Sequence, residues 1–272
     1  MNIVGQVDRI KDLTLGEFKA RYRDNKPVVL EGVAKDWAVR SVMTPENLKN
    51  MFGDVTVNCR ETDNEVDLYF GDDSFGVTRR KYVKIKDYID LICGKDSFEE
   101  RPPYLANIDF DLPEGRQYLQ QLKSLLAFPD YFQDNSTGST FSLWIAAPGQ
   151  KSTIHNHNYH TLITQIYGTK SCLLYSPDQH DALDARYVNP KCWGSPVDPQ
   201  QPDLEKYPRF KEARALEAVL DEGDILYVPI WWFHHLFART VSINTNQFIN
   251  VGIAKSWSEE QLNWRNPELV TA

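Results

Sequence analysis

Cysteine is scarce in this chain. The four residues Cys59, Cys93, Cys172 and Cys192 are widely spaced over 272 positions and form no C-x-x-C pair. This spacing argues against a disulfide framework or a structural zinc site, and the usage fits a reducing compartment. Positive charge is also in deficit: 30 Lys and Arg against 38 Asp and Glu give a net charge of −8. An acidic chain lacks the basic face that a phosphate backbone requires, so no nucleic acid partner is expected. Long apolar runs are missing too, since none approaches the roughly eighteen residues of a membrane helix. The opening "MNIVGQVDRIKDLTLGEF" is charged throughout, unlike a signal peptide. The expectation is a cytoplasmic protein with no membrane association. With 42% hydrophobic and 25% charged residues, the composition is that of a folded globular chain able to bury a core.

The N-terminal third alternates helix and strand signals. "TLGEFKARYRD" (14–24) reads as a helix capped by Thr14 with Glu17 three residues on, and "KPVVLEGV" (26–33) as a short buried strand. "TPENLKNMFG" (44–53) and "KIKDYIDLICG" (84–94) read as further helices, the first with proline at its opening position. From about Phe141 the texture changes to strand-like runs such as "STFSLWIAAPG", "TLITQIYGTKSCLLYSP" and "TVSINTNQFINVGIA", broken by Gly, Pro and Asp. Short strands joined by turns predict a mostly β protein with added helices, of the jelly-roll or cupin sort. "VDPQQPDLEKYPRFKEA" (197–213) reads as a surface loop or lid. There is no internal repeat.

Histidine is scarcer than its distribution suggests: six residues in all, five of them in two clusters. His155, His157 and His160 fall within six positions of "KSTIHNHNYHTLITQIYGTK", and His234 and His235 stand in "YVPIWWFHHLF". Residues two apart on a strand share a face, so His155 and His157 aim into one cavity. Imidazole suits iron, zinc, copper and nickel, and His234 or His235 offers a third ligand from a second strand. His160 and His180 read as structural residues.

"TIHNHNYHTLITQIYGTKSCLLYSPDQ" resembles the central motif of the Jumonji-C oxygenases, the cupin-like iron and 2-oxoglutarate enzymes. In particular it resembles the hypoxia-inducible-factor asparaginyl hydroxylase branch. "KYPRFKEARALEAVLDEGDILYVPIWWFHHLF", "PPYLANIDF" and "KPVVLEGVAKDW" extend the similarity from about Lys26 to Ala254. The resemblance implies a double-stranded β-helix in one domain spanning 1–272. Its parts are an α/β elaboration at 1–130, a β-helix core at 131–254 and a helical tail at 255–272. It also implies Fe(II), 2-oxoglutarate as cosubstrate and dioxygen. His155 and His234 fall on the iron histidines, leaving His235 outside. Lys170 falls on the lysine that pairs with the distal carboxylate of 2-oxoglutarate, Tyr104 on a tyrosine bonded to the same carboxylate, and Thr161, Ser152 and Asn246 on cosubstrate-contacting or site-lining positions. Relatives in that branch dimerise through C-terminal helices, so a homodimer through the tail, which carries Trp257, Leu262 and Trp264, is implied.

The departure is at His157. The family motif is His-x-Asp or His-x-Glu, and this sequence has His-x-His. Replacing the carboxylate keeps the ligand count and removes one negative charge from the metal. Three readings stay open: a three-histidine iron oxygenase that still uses 2-oxoglutarate, a three-histidine cupin metalloenzyme that does not, and a binding module without catalysis. The first predicts hydroxylation of an unactivated C–H bond in a peptide or protein side chain or an amino-acid-derived small molecule. Trp144, Trp231, Trp232 and Phe233 are expected to wall the cavity.

Overall fold

The computed structural model describes residues 2–62, 78–94, 120–132, 136–189 and 192–251. The N-terminal part runs β1 (Asn2–Gln6), β2 (Asp8–Ile10), α1 (Leu15–Arg21), β3 (Val28–Leu30), α2 (Val39–Val42), α3 (Pro45–Phe52), β4 (Thr56–Thr62), β5 (Thr78–Lys84) and α4 (Ile85–Ile92). Then come β6 (Ser136–Ala146), β7 (Ile154–His155), β8 (His160–Tyr167), β9 (Lys170–Tyr175), β10 (Arg186–Asn189) and β11 (Cys192–Ser195). The last strands are β12 (Arg214–Leu220), β13 (Ile225–Val228), β14 (Phe233–Ala238) and β15 (Ser242–Val251). Tyr104 and the tail at 255–272, with its proposed dimer contact, lie outside the described residues.

The helix starts follow their local chemistry. At α1, Thr14 Oγ1 accepts the Glu17 N–H and the Glu17 carboxylate accepts the Thr14 N–H, so two otherwise orphaned donors are satisfied reciprocally. Thr44 caps α3 through the Asn47 N–H, and Pro45 occupies the first turn, where no N–H is needed.

The strands build two large sheets, one ordered β1-β12-β9-β14-β7-β11-β10 and the other β2-β3-β13-β8-β15-β6, while β4 and β5 form a separate hairpin. Val29, Ile163 and Leu226 of the six-stranded sheet pack with Leu174, Ala218 and Trp232 of the seven-stranded side, so the sheets face each other across one core. This is the double-stranded β-helix expected from the sequence. The N-terminal third is part of it: β1 lies parallel to β12, β2 parallel to β3, and β3 antiparallel to β13. The outer face of the six-stranded sheet is covered by α1, whose Phe18 stacks on Tyr131 at 4.3 Å, and by α2 to α4.

The segment 197–213 is not a lid. Val197, Phe210 and Ala213 are buried against Leu173, Tyr175 and Phe233 on the outer face of the seven-stranded sheet. It is the surface loop that its charges implied, with Asp203, Glu205, Lys206 and Arg209 exposed, and three apolar anchors pin it down.

The β8–β9 connection decides where Lys170 goes. Consecutive in sequence, these strands belong to opposite sheets, so Lys170 stands across the core from β8 rather than beside it. Gly168 makes the crossing in the left-handed region (φ 70°), and a Cβ there would lie 2.0 Å from the Val241 carbonyl oxygen. Gly168→Ala is expected to destabilise the protein by at least the roughly 1–3 kcal/mol of a strained backbone, with the clash added. A thermal melt checks this, and an unchanged Tm would contradict it.

Candidate metal centre

β7 is only two residues long and lies between β11 and β14, where His155 pairs with Gly194 on one side and His234 on the other. The second histidine cluster, distant in sequence, is thus next door in the sheet. His157 lies two residues past His155, beyond the strand end. The ring centroids of His155 and His234 are 4.3 Å apart, those of His155 and His157 4.8 Å, and those of His157 and His234 5.5 Å. One ligand nitrogen from each lies within 4.8 Å of the others, and all three side chains are buried. His235 follows the strand alternation to the opposite face, near the ion-paired Lys151 and Asp198.

Two of the imidazoles are oriented by the same device. His155 Nδ1 donates to the Thr153 carbonyl at 2.9 Å, and His234 Nδ1 to the Trp232 carbonyl at 3.0 Å. A ring nitrogen facing a carbonyl carries the proton, which leaves Nε2 with a lone pair for a metal. His157 stacks on Tyr159 at 4.7 Å and meets Phe248 edge-on at 5.9 Å. Burial holds His155 and His157 well below the ordinary histidine value, reinforced by neighbouring imidazoles, and pushes His234 down to about 4. All three are neutral at pH 7, the form that ligates. Three neutral nitrogens converging in a buried pocket fit a divalent transition metal.

The histidines open on a narrow cavity between the two sheets. Lys170 lines it, 3% exposed, with its ammonium pushed down to about 8 by burial. Lys170 Nζ donates to Asn244 Oδ1 on the facing sheet, and Asn244 Nδ2 donates to Asn246 Oδ1 at 2.7 Å. Among the described residues Lys170 forms no salt bridge. Burying an ammonium without a carboxylate is costly unless an anion arrives to pair with it.

Of the residues singled out in the sequence, Trp144, Ser152, His155, His157, Lys170, His234 and Asn246 line this cavity. Ser152 also anchors β14, its Oγ accepting the Leu236 N–H at 2.9 Å. Thr161 is buried on β8 and is not among the lining residues. Trp231 and Trp232 do not wall it either. Trp231 adopts φ 64° and, with Phe233, packs on the outer face of the seven-stranded sheet. Trp232 points into the inter-sheet core, its Nε1 donating to the Asn25 carbonyl. The turn between β13 and β14, with Trp231 in the left-handed region, sends the two tryptophans to opposite sides of the seven-stranded sheet and neither to the cavity. His160 is structural, as expected, held by the Tyr227 hydroxyl and the Ile230 N–H. Asn244, Leu236 and Phe248 line the cavity but were missed in the sequence. For two of them a signal existed: Asn244, Asn246 and Phe248 stand two apart in "NTNQF", on one strand face.

A family model described as a cupin-like domain matches residues 15–252. Among curated relatives, the chain is 26% identical over 254 residues to lysine-specific demethylase 8 of Danio rerio, covering 90% of this chain and 59% of that protein. It is 30% identical over 250 residues to tRNA wybutosine-synthesizing protein 5 of Mus musculus (89% of this chain, 77% of that one). It is 24% identical over 290 residues to arginine-specific demethylase JMJ20 of Arabidopsis thaliana (94% and 60%). The chain thus spans about three fifths of the two demethylases. These relatives agree with the Jumonji-C resemblance at family level and do not reach the asparaginyl hydroxylase branch. With the match extending over β3 through β15 and the ligand cluster inside it, the chain belongs to the cupin-like domain family.

Proposed function

We propose that this chain is an iron(II)- and 2-oxoglutarate-dependent oxygenase that hydroxylates an unactivated C–H bond of a peptide or protein side chain, or of an amino-acid-derived small molecule. The observation that carries this reading is Lys170, a buried ammonium without a carboxylate partner among the described residues, in the same cavity as three converging imidazoles. His155, His157 and His234 would hold the iron. Lys170, steadied by Asn244, would hold a carboxylate of the cosubstrate, with Ser152 and Asn246 alongside. When bound, iron supplies dioxygen activation coupled to oxidative decarboxylation of 2-oxoglutarate. The protein's part is to bind both, keep the histidines neutral and, through Trp144, Leu236 and Phe248, exclude water. The demethylase names of two relatives suit the same chemistry, since hydroxylating an N-methyl carbon is itself a C–H hydroxylation.

A second reading is favoured by His157 itself. With imidazole where the family has a carboxylate, the metal keeps one more positive charge, which suits a three-histidine cupin enzyme that does not use 2-oxoglutarate. Anaerobic reconstitution with Fe(II) and titration with 2-oxoglutarate separates the two. A saturable visible charge-transfer band supports the oxygenase. Bound metal without a band supports the alternative, and a band present only in His157→Asp names the histidine as the cause.

The pH dependence follows from Lys170. Its ammonium is charged below about 8, and an anion bound to it raises its pKa further, so above about 8 binding must take up a proton. Affinity for 2-oxoglutarate is therefore expected to be independent of this lysine below about pH 8 and to fall above it, approaching about tenfold per unit. Calorimetric titrations on both sides of that value check the sign. Affinity that rises with pH would rule out the charged lysine as the anchor.

A further inference from the structure

We propose that Asn156, the residue between the two ligand histidines, is a positioning residue that holds His157 in the metal site. The proposal rests on reading His155, His157 and His234 as metal ligands. β7 ends at His155, so the sheet alone does not place His157. At Asn156 the ladder to β11 is half-continued. The Asn156 N–H still donates to the Trp193 carbonyl at 3.0 Å, but the Trp193 N–H donates to Asn156 Oδ1, at 2.8 Å. The side-chain amide thus stands in for a main-chain carbonyl, and the backbone is released from the sheet at that residue. From there the chain is caught again on the other side. Asn156 Nδ2 donates to the Trp231 carbonyl at 3.3 Å, and the Trp231 N–H donates to the His157 carbonyl at 2.8 Å.

Trp231 presents both groups from a left-handed conformation, rare for a bulky side chain. Such a conformation persists where its surroundings impose it, and the bonds to Asn156 and His157 are part of those surroundings. Asn156 is fully buried and offers an acceptor to strand β11 and a donor to the β13–β14 connection. A carboxylate supplies only the acceptor, and an alkyl side chain neither. The neighbouring imidazoles are oriented by their own carbonyl bonds, so the burden on Asn156 is the placement of His157.

The test uses Co(II) alone as probe, following its visible absorption on titration into the full chain. Asn156→Ala is expected to bind Co(II) about 10–100-fold more weakly, as loss of an outer-shell partner does, with an altered ligand-field spectrum. Gln165→Ala, which removes an equally buried amide bonded to Tyr167, Gly168 and Ser242, is the folding control and is expected to leave the spectrum unchanged. Should Asn156→Ala not fold, Asn156→Asp, which keeps the acceptor for Trp193, is read by the same criteria. Wild-type affinity and spectrum in Asn156→Ala, or in Asn156→Asp where it replaces it, or an equal loss in Gln165→Ala, each overturns the proposal alone. A wild-type chain that takes up no Co(II) overturns it together with the metal reading.

Discussion

Lys170→Ala is expected to eliminate 2-oxoglutarate binding while leaving metal binding intact. Truncating one partner of a buried, hydrogen-bonded charge pair costs about 2–5 kcal/mol, which is on the order of 30-fold to several thousandfold in affinity. Lys170 sits at the start of β9, faces Asn244 and lies two residues from Cys172, with no acid to pair it among the described residues. The same isolation sets the expectation for stability. A buried ammonium without a counter-charge is a burden on the folded state. Lys170→Met, which keeps the stem volume and removes the charge, is therefore expected to melt above the wild type while being equally unable to bind the cosubstrate. Calorimetry for 2-oxoglutarate, metal analysis and a thermal melt on the two variants make the comparison. Retained cosubstrate binding in either variant would remove the main support for the oxygenase reading.

His155→Ala or His234→Ala is expected to abolish stoichiometric metal binding. Each removes one of three donors, so the loss should exceed the roughly 10–100-fold typical of an outer partner. His235→Ala supplies the internal comparison: it alters the adjacent residue, on the opposite face of β14, and is expected to leave metal stoichiometry unchanged. Metal analysis after reconstitution and dialysis reads the difference. Loss in His235→Ala equal to that in His234→Ala would mean that the ligand set is wrongly drawn.

Much of this was legible in the chain because it is written in short-range patterns. Thr14 with Glu17, and Thr44 with Pro45, mark helix starts through bonds made within four residues, and both are where the pattern put them. The clustering of His155 and His157 was legible, but strand alternation was not what brings them together, because β7 ends at His155 and His157 is placed by the chain beyond it. Asn246 was found where Asn244 and Phe248 were not, although all three share one face of β15. Aromatic residues were the least legible. Trp144, Trp231 and Trp232 are alike in composition and burial, and only backbone direction sends the first into the cavity and the others away from it.

The sequence by itself determined the clustered imidazoles of the candidate metal centre and the mostly β architecture, since each follows from residue identity and local period. Tertiary structure decided what stands next to what. It set His234 directly beside His155, put Lys170 across the core rather than beside β8, and folded the 197–213 segment back as cover. It also decided that Asn156, unremarked between two histidines, ties three chain segments together. The physical reason is the same in each case: strand pairing and core packing join residues far apart in the chain, and no local pattern records which partner a strand will find.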